Sequence, residues 1–321
     1  MKAGRYEDAI RAYSQALVFN PVNWITYSNR GQVYFILRKY EQALHDYSQA
    51  IACLPPKQED VLSSLYRSRG SVYAALKEHQ RALHDYNQAI TLDPKNAAAY
   101  TSRGDLHSDL KEYEQALRDY ELALALDPQN TFVYNNRGSL YVTLKEYERA
   151  LHDFNQLIAL DPKDGTSYMR RGNFYFDLKE YELALRDYEQ VIALDPKNVQ
   201  AYFKRGESYR HLQHYAQAVR DYDLVINFRP EADVAYHGRG LAYAMQQQYE
   251  QAVRDFNQAI ALNPKDAQAY FNRGLVYENL RQYKLALRDY DQALALNPRD
   301  TRAYSHKEDL YQLLRQRGRR R

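Results

Sequence analysis

Glycine recurs along this chain at a fixed interval of 34 residues, and this repetition constrains the fold more than any other feature. The regular series is Gly70, Gly104, Gly138, Gly172, Gly206, Gly240 and Gly274. An eighth glycine, Gly31, is displaced by five residues, and an alanine follows twelve residues after each of the eight. A period of this length predicts a solenoid of stacked supersecondary units rather than a compact globule.

Each block contains two segments in which apolar residues fall at helical spacing. In the block around Gly138, the first segment carries Tyr134 and Tyr141, and the second carries Ala150 and Phe154. A Lys-Glu-Tyr sequence separates the segments, and an Asp-Pro pair ends the second one. Because the residue before a proline is disfavoured in the α region, the pattern predicts two antiparallel helices per block. The glycine, which has no Cβ, lets the two helices approach closely.

The repeated block resembles the tetratricopeptide repeat (TPR) signature. One copy reads Tyr100-x-x-Arg103-Gly104-x-x-His107, then Ala116-x-x-x-Tyr120, then Pro128. The match extends over essentially the whole chain, with Arg in place of the usual Leu beside the glycine. The resemblance implies an all-α fold, namely a right-handed TPR superhelix (an α-solenoid) of antiparallel helix pairs.

The repeats predict the domain organisation. We expect a single TPR array over residues 1–321, with a partial repeat at 1–21 that holds only a second helix. Eight full repeats occupy 22–298, and a capping helix with a basic tail occupies 299–321. Five extra residues between the first two full repeats lengthen either a loop or the next helix. The partial repeat means either a longer natural array or an apolar helix face that associates with something else.

Composition restricts the class of protein. The 44 basic and 41 acidic residues nearly balance, so no global field favours nucleic acid or membrane. No apolar run approaches the roughly 18 residues that cross a bilayer, and the sequence has no secretory signal pattern. The single cysteine, Cys53, occupies a position held by Leu in other repeats, which predicts a small buried side chain and a reducing, cytoplasmic compartment.

An arginine beside the glycine and an aspartate in the second helix recur in all eight full repeats. In the fourth repeat these residues are Arg137 and Asp153. The partial N-terminal repeat has Ala12 at the Asp position, so pairing within a repeat leaves no arginine without a partner. We therefore expect eight ion pairs inside repeats, with a structural role rather than a ligand-binding one.

In the TPR family, ligands usually lie against first helices that line a concave wall. Carried over by spacing, the inward positions fall six, three and two residues before each glycine and one, four and five after it, which is one face of a helix. The candidate partner-binding residues at these positions are Asn29, Phe132, Asn136, Met169, Arg170, Asn173, Phe176, Phe203, Lys204, Arg210 and Asn272.

These positions differ between repeats, whereas the packing positions hardly change. Several are apolar, although free drift in water favours polar residues. The variation therefore predicts a non-enzymatic scaffold that binds an extended peptide or a helix of a partner protein. The carboxylate clamp of chaperone co-factors is only partly matched, because Thr166 stands where the Lys before Arg170 is needed. Asn29, Asn136 and Asn272 resemble the asparagine ladder of glycosyltransferase TPR arrays, but they occur in only three of the eight repeats.

Signals of catalysis are absent from the sequence. No phosphate-binding glycine loop occurs, and His211 and His214 have no nearby carboxylate or cysteine to complete a metal site. We expect no catalytic residue, no cofactor and no metal. Two alternatives remain open. The chain self-assembles as a homo-oligomer through its N-terminal helix or array ends, or its basic tail RQRGRRR binds nucleic acid weakly.

Overall fold

The computed structural model describes residues 2–319, with side-chain positions for residues 5–316, and every regular element in that range is an α-helix. The predicted all-α fold of antiparallel helix pairs is confirmed. The helices fall into two compact units, Met1–Leu160 and Asp161–Arg321. Arg320 and Arg321, which end the predicted basic tail, lie outside the described residues.

The first unit contains nine helices within the described range. They are α1 (Lys2–Phe19), α2 (Trp24–Ile36), α3 (Tyr40–Cys53), α4 (Glu59–Ala75), α5 (His79–Leu92), α6 (Ala97–Asp109), α7 (Tyr113–Leu126), α8 (Thr131–Thr143) and α9 (Tyr147–Leu160). Four of the five inserted residues lengthen α4, which has 17 residues where the equivalent helix α6 has 13, and the fifth lengthens the loop before it.

The second unit repeats the same alternation. Its helices are α10 (Gly165–Asp177), α11 (Tyr181–Leu194), α12 (Val199–His211), α13 (Tyr215–Phe228), α14 (Asp233–Met245), α15 (Tyr249–Leu262), α16 (Ala267–Asn279), α17 (Tyr283–Leu296) and α18 (Thr301–Arg319). The even-numbered helices α2–α16 are the first helices of the repeats, and their partners α3–α17 are the second helices.

Side-chain caps fix where the first helices begin. The side chain of Asn130 accepts a hydrogen bond from the backbone N–H of Val133 at 3.2 Å, which satisfies one of the free donors at the start of α8. Just upstream, Asp127 accepts from the backbone N–H of Gln129 at 3.2 Å and forms a turn around Pro128. The Asp-Pro-x-Asn sequence therefore both ends one helix and starts the next.

The turn inside each repeat depends on a left-handed residue. Lys145 has φ of 62° between α8 and α9, and the following Glu146 N–H bonds back to the Tyr141 carbonyl at 2.9 Å. This arrangement satisfies carbonyls at the end of the first helix, as in a Schellman motif. The equivalent residues in the other repeats also have positive φ, and none of them is glycine: Arg38, Lys77, Lys111, Lys179, Gln213, Gln247 and Arg281.

Close packing of each helix pair explains the periodic glycine. A Cβ on Gly274 would lie 2.7 Å from Cε1 of Tyr290, inside the distance at which carbon atoms can pack. Tyr290 is fully buried, as are Ala286 and Ala293 on the same helix face. The core of each repeat therefore consists of small alanines and one large ring from the second helix, which fits against the glycine of the first.

The predicted ion pairs within repeats are confirmed in all eight repeats. Arg137 donates from Nε to Oδ2 of Asp153 at 2.8 Å and from Nη2 to Oδ1 at 2.7 Å. The carboxylate is fully buried, while the arginine side chain is 14 % exposed. The equivalent pairs are Arg30–Asp46, Arg69–Asp85, Arg103–Asp119, Arg171–Asp187, Arg205–Asp221, Arg239–Asp255 and Arg273–Asp289.

Several of these arginines also reach toward the preceding repeat of the same unit, which the sequence did not predict: Arg30, Arg69, Arg103, Arg239 and Arg273. Nη1 of Arg103 donates to Asn87 at 2.7 Å, and Nη1 of Arg239 donates to Asp223 at 2.5 Å. Each acceptor lies two residues after the ion-paired aspartate of its own repeat. The arginine therefore holds its own helix pair together and also contacts the neighbouring pair through a partly exposed hydrogen bond.

Candidate binding surface

The six inward positions of each first helix form what we call the first-helix face. Within the first unit α4 contacts α6 and α6 contacts α8, and within the second unit α10 contacts α12, α12 contacts α14 and α14 contacts α16. Among residues 2–319, no comparable contact joins the second helices of successive repeats. First helices therefore lie closer together than second helices in each unit, as the predicted face requires.

In the first unit, the face carries Asn29, Phe132 and Asn136. Asn29 and Phe132 are exposed, and the Phe132 ring is 56 % accessible. Asn136 is half-buried and donates to Oδ1 of Asp105 on the neighbouring first helix at 2.8 Å. Of the three candidates in this unit, Asn136 is therefore already engaged within the protein.

Asp105 lies at the centre of a polar pocket on this face. The pocket has a volume of about 360 Å³, and Asp109, Tyr120 and Asn136 also line it. The Tyr120 hydroxyl donates to Oδ1 of Asp105 at 2.7 Å. Burial raises the pKa of the Asp105 carboxyl, and the two hydrogen bonds oppose that shift.

The contact between Tyr120 and Asp105 is one instance of a recurring arrangement. The ring of the second-helix tyrosine crosses the repeat, and its hydroxyl reaches the residue that follows the periodic glycine. Tyr47 bonds Gln32 at 3.0 Å, and Tyr188 bonds Asn173 at 2.9 Å. The candidate residue Asn173 is therefore fixed by a core tyrosine, and buried hydroxyls form part of the floor of the first-helix face.

The second unit brings several candidate residues together on α10 and α12. Nζ of Lys204 lies 4.7 Å from the centroid of the Phe176 ring, a cation–π contact. Phe176 also packs edge-on against Tyr181 at 5.4 Å and His211 at 5.7 Å, and Tyr181 stacks on His211 at 4.6 Å. Tyr181 and His211 were not among the predicted candidates, although His211 occupies one of the six face positions.

A charged triad follows along α12. Glu207 lies between Lys204, at 3.5 Å, and Arg210, at 3.8 Å. Nε of Arg210 is buried without a hydrogen-bond partner among residues 2–319. Burial and the adjacent Arg210 guanidinium lower the pKa of His211, which favours its neutral form. One carboxylate is thus shared by two cations on this part of the face.

Two aromatic residues at the position three before the glycine are more buried than the sequence predicts. Phe203 packs against the core cluster of its repeat, with its ring 6.0 Å from that of Tyr222. Phe271, its equivalent in α16, is buried and packs on Tyr290. This position faces the second helix as much as the solvent. Phe203 is therefore partly a packing residue, whereas Met169 at the same position is half-buried and Arg170 beside it is exposed.

Asn272 belongs to a separate polar network on α14 and α16. Its Nδ2 lies 2.8 Å from Nε2 of His237, and Nδ1 of His237 lies 3.1 Å from Asp266. Donation from Asn272 to Nε2 and from Nδ1–H to Asp266 requires a neutral imidazole. Burial lowers the pKa of His237, and Asp266 opposes the shift. Asn272 therefore fixes the orientation of a half-buried histidine.

An apolar pocket of about 380 Å³ lies beside this network. Leu241 and Met245 of α14 line one side, and Leu275 and Asn279 of α16 line the other. The Met245 side chain is 61 % exposed. Leu241 and Leu275 stand at the position after the glycine, where other repeats carry polar residues such as Asn173. The first-helix face of this unit is therefore polar and cationic on α10 and α12, and apolar on α14 and α16.

Three further features concern membranes, metals and the cysteine. Residues 2–319 contain no helix that is long and apolar enough to cross a membrane. They also contain no group of three or more His, Cys, Asp or Glu side chains that could hold a metal ion. Cys53 is a free thiol and is half-buried rather than fully buried.

The antiparallel helix pairs and the periodic glycine at their contacts define a class of helical repeat proteins. Models of the tetratricopeptide repeat match residues 24–55, 97–130, 131–164, 200–232 and 239–311, and a model described as TPR repeat matches 1–37, 70–110 and 172–213. The chain belongs to the tetratricopeptide repeat family. Proteins of this family are protein-interaction scaffolds and are typically not catalytic.

Solved structures with a similar fold come from the same family. The C-terminal part of a TPR repeat-containing protein from Cytophaga hutchinsonii has a TM-score of 0.63 at 17 % identity, over 74 % of this chain and 97 % of its own. A protein from Parabacteroides merdae has a TM-score of 0.54 at 22 % identity, over 78 % of this chain and 98 % of its own.

YrrB, described as a TPR protein with an unusual peptide-binding site, has a TM-score of 0.50 at 24 % identity, over 57 % of this chain and 95 % of its own. At these identities the likeness of the three structures shows the fold alone. No curated protein matches the sequence.

Proposed function

We propose that the chain is a non-enzymatic, cytoplasmic scaffold whose first-helix face binds a segment of a partner protein. The observation that supports this proposal most directly is the group of Phe176, Lys204 and Arg210 on the contacting helices α10 and α12. These side chains are half-buried, and they lie on the variable face rather than among the invariant alanines and glycines of the core.

The physical argument concerns what the face offers to a partner. Aromatic and arginine side chains dominate the energy of protein interfaces because they bury much area with few rotatable bonds or form several directed hydrogen bonds. Phe176 is held in place by Tyr181 and His211, so it loses little further freedom on binding. The arrangement is therefore already organised to receive a partner.

A variant that removes side chains from the face tests the proposal. Met169, Arg170 and Lys204 are changed together to alanine, and Phe203 is left intact because it packs on the core. The matched control changes three exposed residues of second helices, Gln217, Arg186 and Arg220, to alanine. Both variants therefore remove two positive charges. Partners captured from the source cell by wild type are identified, and their affinities are measured with purified components.

We expect the face variant to lose at least about tenfold in affinity, as for removal of interface residues that matter. The control variant should bind as wild type does, and both should keep the same helicity and melting temperature. Equal loss in the two variants, or no loss in the face variant, would contradict binding at the first-helix face.

Self-association is a second candidate, supported by an apolar patch near the end of α1. Val18, Phe19 and Val22 are strongly exposed, and Phe19 is 88 % accessible. Tyr6 and Ile10 of the same helix are half-buried and therefore less exposed than the patch. The patch is thus the better place for a test of self-association. If a second copy covers the patch, Phe19→Lys should lower the mass measured by light scattering. A wild type that is monomeric at high concentration would exclude this candidate.

A further inference from the structure

The seam between α10 and α12 carries a net positive charge. Arg170 and Lys204 occupy equivalent positions, two before the glycine, on these contacting helices. Arg170 is exposed and makes no ion pair among residues 2–319. Arg210 adds a third cation, against the two carboxylates Glu207 and Asp177 at face positions of these helices. Three cations and two carboxylates leave one positive charge to be balanced by a partner.

The apolar pocket between α14 and α16 is the second element of the inference. Leu241, Met245 and Leu275 surround it, and its volume of about 380 Å³ accepts a large aliphatic side chain. Among the described residues, no Asp, Glu, Lys, Arg or His lines this pocket, and the carboxylate of Glu278, at a face position of α16, accepts a hydrogen bond from the Tyr290 hydroxyl at 2.7 Å. A charged side chain would therefore gain little in this pocket, and an aliphatic one would bury its surface there.

The separation of the two seams fixes the spacing of the groups that they bind. Packed helices lie about 8–10 Å apart, so the two steps from the first seam to the second cover about 16–20 Å. An extended chain rises about 3.3 Å per residue and needs about five or six residues for that distance. A helix rises about 1.5 Å per residue and would need about eleven to thirteen.

We propose that the first-helix face of residues 161–319 selects an extended segment of a partner protein in which an acidic side chain and a bulky aliphatic side chain are about five or six residues apart. This inference rests on the proposed function and names the chemistry that the face recognises. The acidic group is an internal side chain rather than a chain terminus, because α10 presents Thr166 instead of a second cation before Arg170.

A selection experiment tests both the composition and the spacing. Random 16-residue peptides, displayed on phage with their C-termini fused to the coat protein, are selected on the full chain. The same library is selected on Lys204→Glu, on Met245→Lys and on the control Arg186→Glu, which makes the same charge change on a second helix. Circular dichroism checks that each variant keeps the helicity of wild type.

We expect wild type and Arg186→Glu to enrich peptides with Asp or Glu about five or six residues from Leu, Ile or Met, in either order. Lys204→Glu should lose the acidic preference and keep the aliphatic one, and Met245→Lys should do the reverse. With one enriched peptide made synthetically and amidated, changing its acidic residue to Gln should weaken binding to wild type by about tenfold and to Lys204→Gln much less.

The other outcomes are distinguishable. Peptides that depend on the face but carry no acidic residue, or that show helical spacing, would overturn this inference and leave the proposed function standing. No enrichment that depends on the face would count against the proposed function as well. If unlabelled chain displaces the peptide and sedimentation shows a dimer, the face is covered by a second copy of this chain and the inference is wrong.

Discussion

Arg137 and Asp153 form a two-pronged ion pair in which the carboxylate is fully buried and the guanidinium is partly exposed. Nε and Nη2 lie 2.8 and 2.7 Å from the two carboxylate oxygens. The guanidinium also lies over the rings of Tyr134 and Tyr141, 5.8 Å from each centroid. The two partners therefore differ in what is left behind when either one is removed.

Removal of the arginine should cost more stability than removal of the aspartate charge. Arg137→Met leaves a buried carboxylate without its cation, which costs about 3–5 kcal/mol. Asp153→Asn leaves a guanidinium that water can reach, and we expect a loss of about 1–2 kcal/mol. The measurement is the urea midpoint of unfolding. Arg149→Met, which breaks an exposed pair with Glu146, should change stability by less than about 0.5 kcal/mol. Equal costs for the first two variants would show that the asymmetry of burial is unimportant.

Two buried tyrosines at the same repeat position should respond in opposite ways to loss of the hydroxyl. The Tyr188 hydroxyl bonds Asn173, whereas the Tyr222 hydroxyl has no hydrogen-bond partner among residues 2–319. We expect Tyr188→Phe to destabilise by about 1 kcal/mol and Tyr222→Phe to be neutral or stabilising by a similar amount. Thermal unfolding of the two variants checks this, and the prediction fails if Tyr222→Phe is the more damaging change.

Gly238 gives a related test at the same ring. A Cβ at this position would lie 2.6 Å from Cζ of Tyr222, so Gly238→Ala should displace the ring and destabilise the repeat. We expect a loss of about 1–3 kcal/mol, as for other overpacked cores. Gly206→Ala is the control, because its Cβ would stay 3.3 Å from the nearest atoms. A larger effect at Gly206 than at Gly238 would contradict the packing argument.

Left-handed residues in the turns offer a way to stabilise the chain. Lys145 has φ of 62°, a conformation that costs an L-residue about 1–2 kcal/mol and costs glycine almost nothing. After the greater freedom of glycine in the unfolded chain is subtracted, Lys145→Gly should stabilise by about 0.5–1 kcal/mol. Lys163→Gly, in a loop position with ordinary φ, should destabilise slightly. Unfolding midpoints that move in the opposite directions would refute the argument.

His237 should titrate below its ordinary range. Burial lowers its pKa, Arg210 adds to that effect, and Asp266 and Asp233 oppose it. Because the folded pKa lies below the unfolded value of about 6.5, the unfolded chain binds more protons between the two values. Stability is therefore lost as the pH falls below about 6.5, until the folded pKa is reached. NMR titration of the imidazole measures the shift, which Arg210→Gln should reduce and Asp266→Asn should increase. A pKa at or above 6.5 would contradict the neutral hydrogen-bond arrangement.

The periodic part of the structure was predictable from sequence because the same residue types recur at the same spacing in each repeat. The helix pairs and the pairing of Arg137 with Asp153 follow from spacing and from the absence of an aspartate at Ala12. The burial of individual residues at the six face positions was less predictable. The six positions span a wide stripe of the helix, and the residues at its edges lie close to the second helix. Whether an edge residue such as Phe203 or Phe271 is buried depends on the neighbouring tyrosine ring of the second helix. Sequence spacing carries no information about that contact.

The hydrogen-bond partners of individual face residues could not be predicted from the sequence either. Asn136 and Asn272 are equivalent in the repeat, yet one bonds an aspartate and the other a histidine. Their partners are set by what occupies the adjacent first helix, Asp105 in one case and His237 in the other. The positive φ of Lys145 had no signal either, since lysine is not the residue that a left-handed turn usually selects.

Several of the arginines bond both their own repeat and the preceding one, and this division affects how the number of repeats can change in evolution. The two hydrogen bonds to the buried carboxylate join residues of the same repeat, as between Arg103 and Asp119. Only the exposed Nη1 of Arg103 bonds a residue of the preceding repeat. The acceptors on that side differ, with Asn87 in one block and Asp223 in another. Duplication or loss of a whole block by recombination therefore leaves every buried carboxylate with its cation and replaces only a tolerant exposed contact. The length of the chain can change in steps of 34 residues without an electrostatic penalty at the new junction.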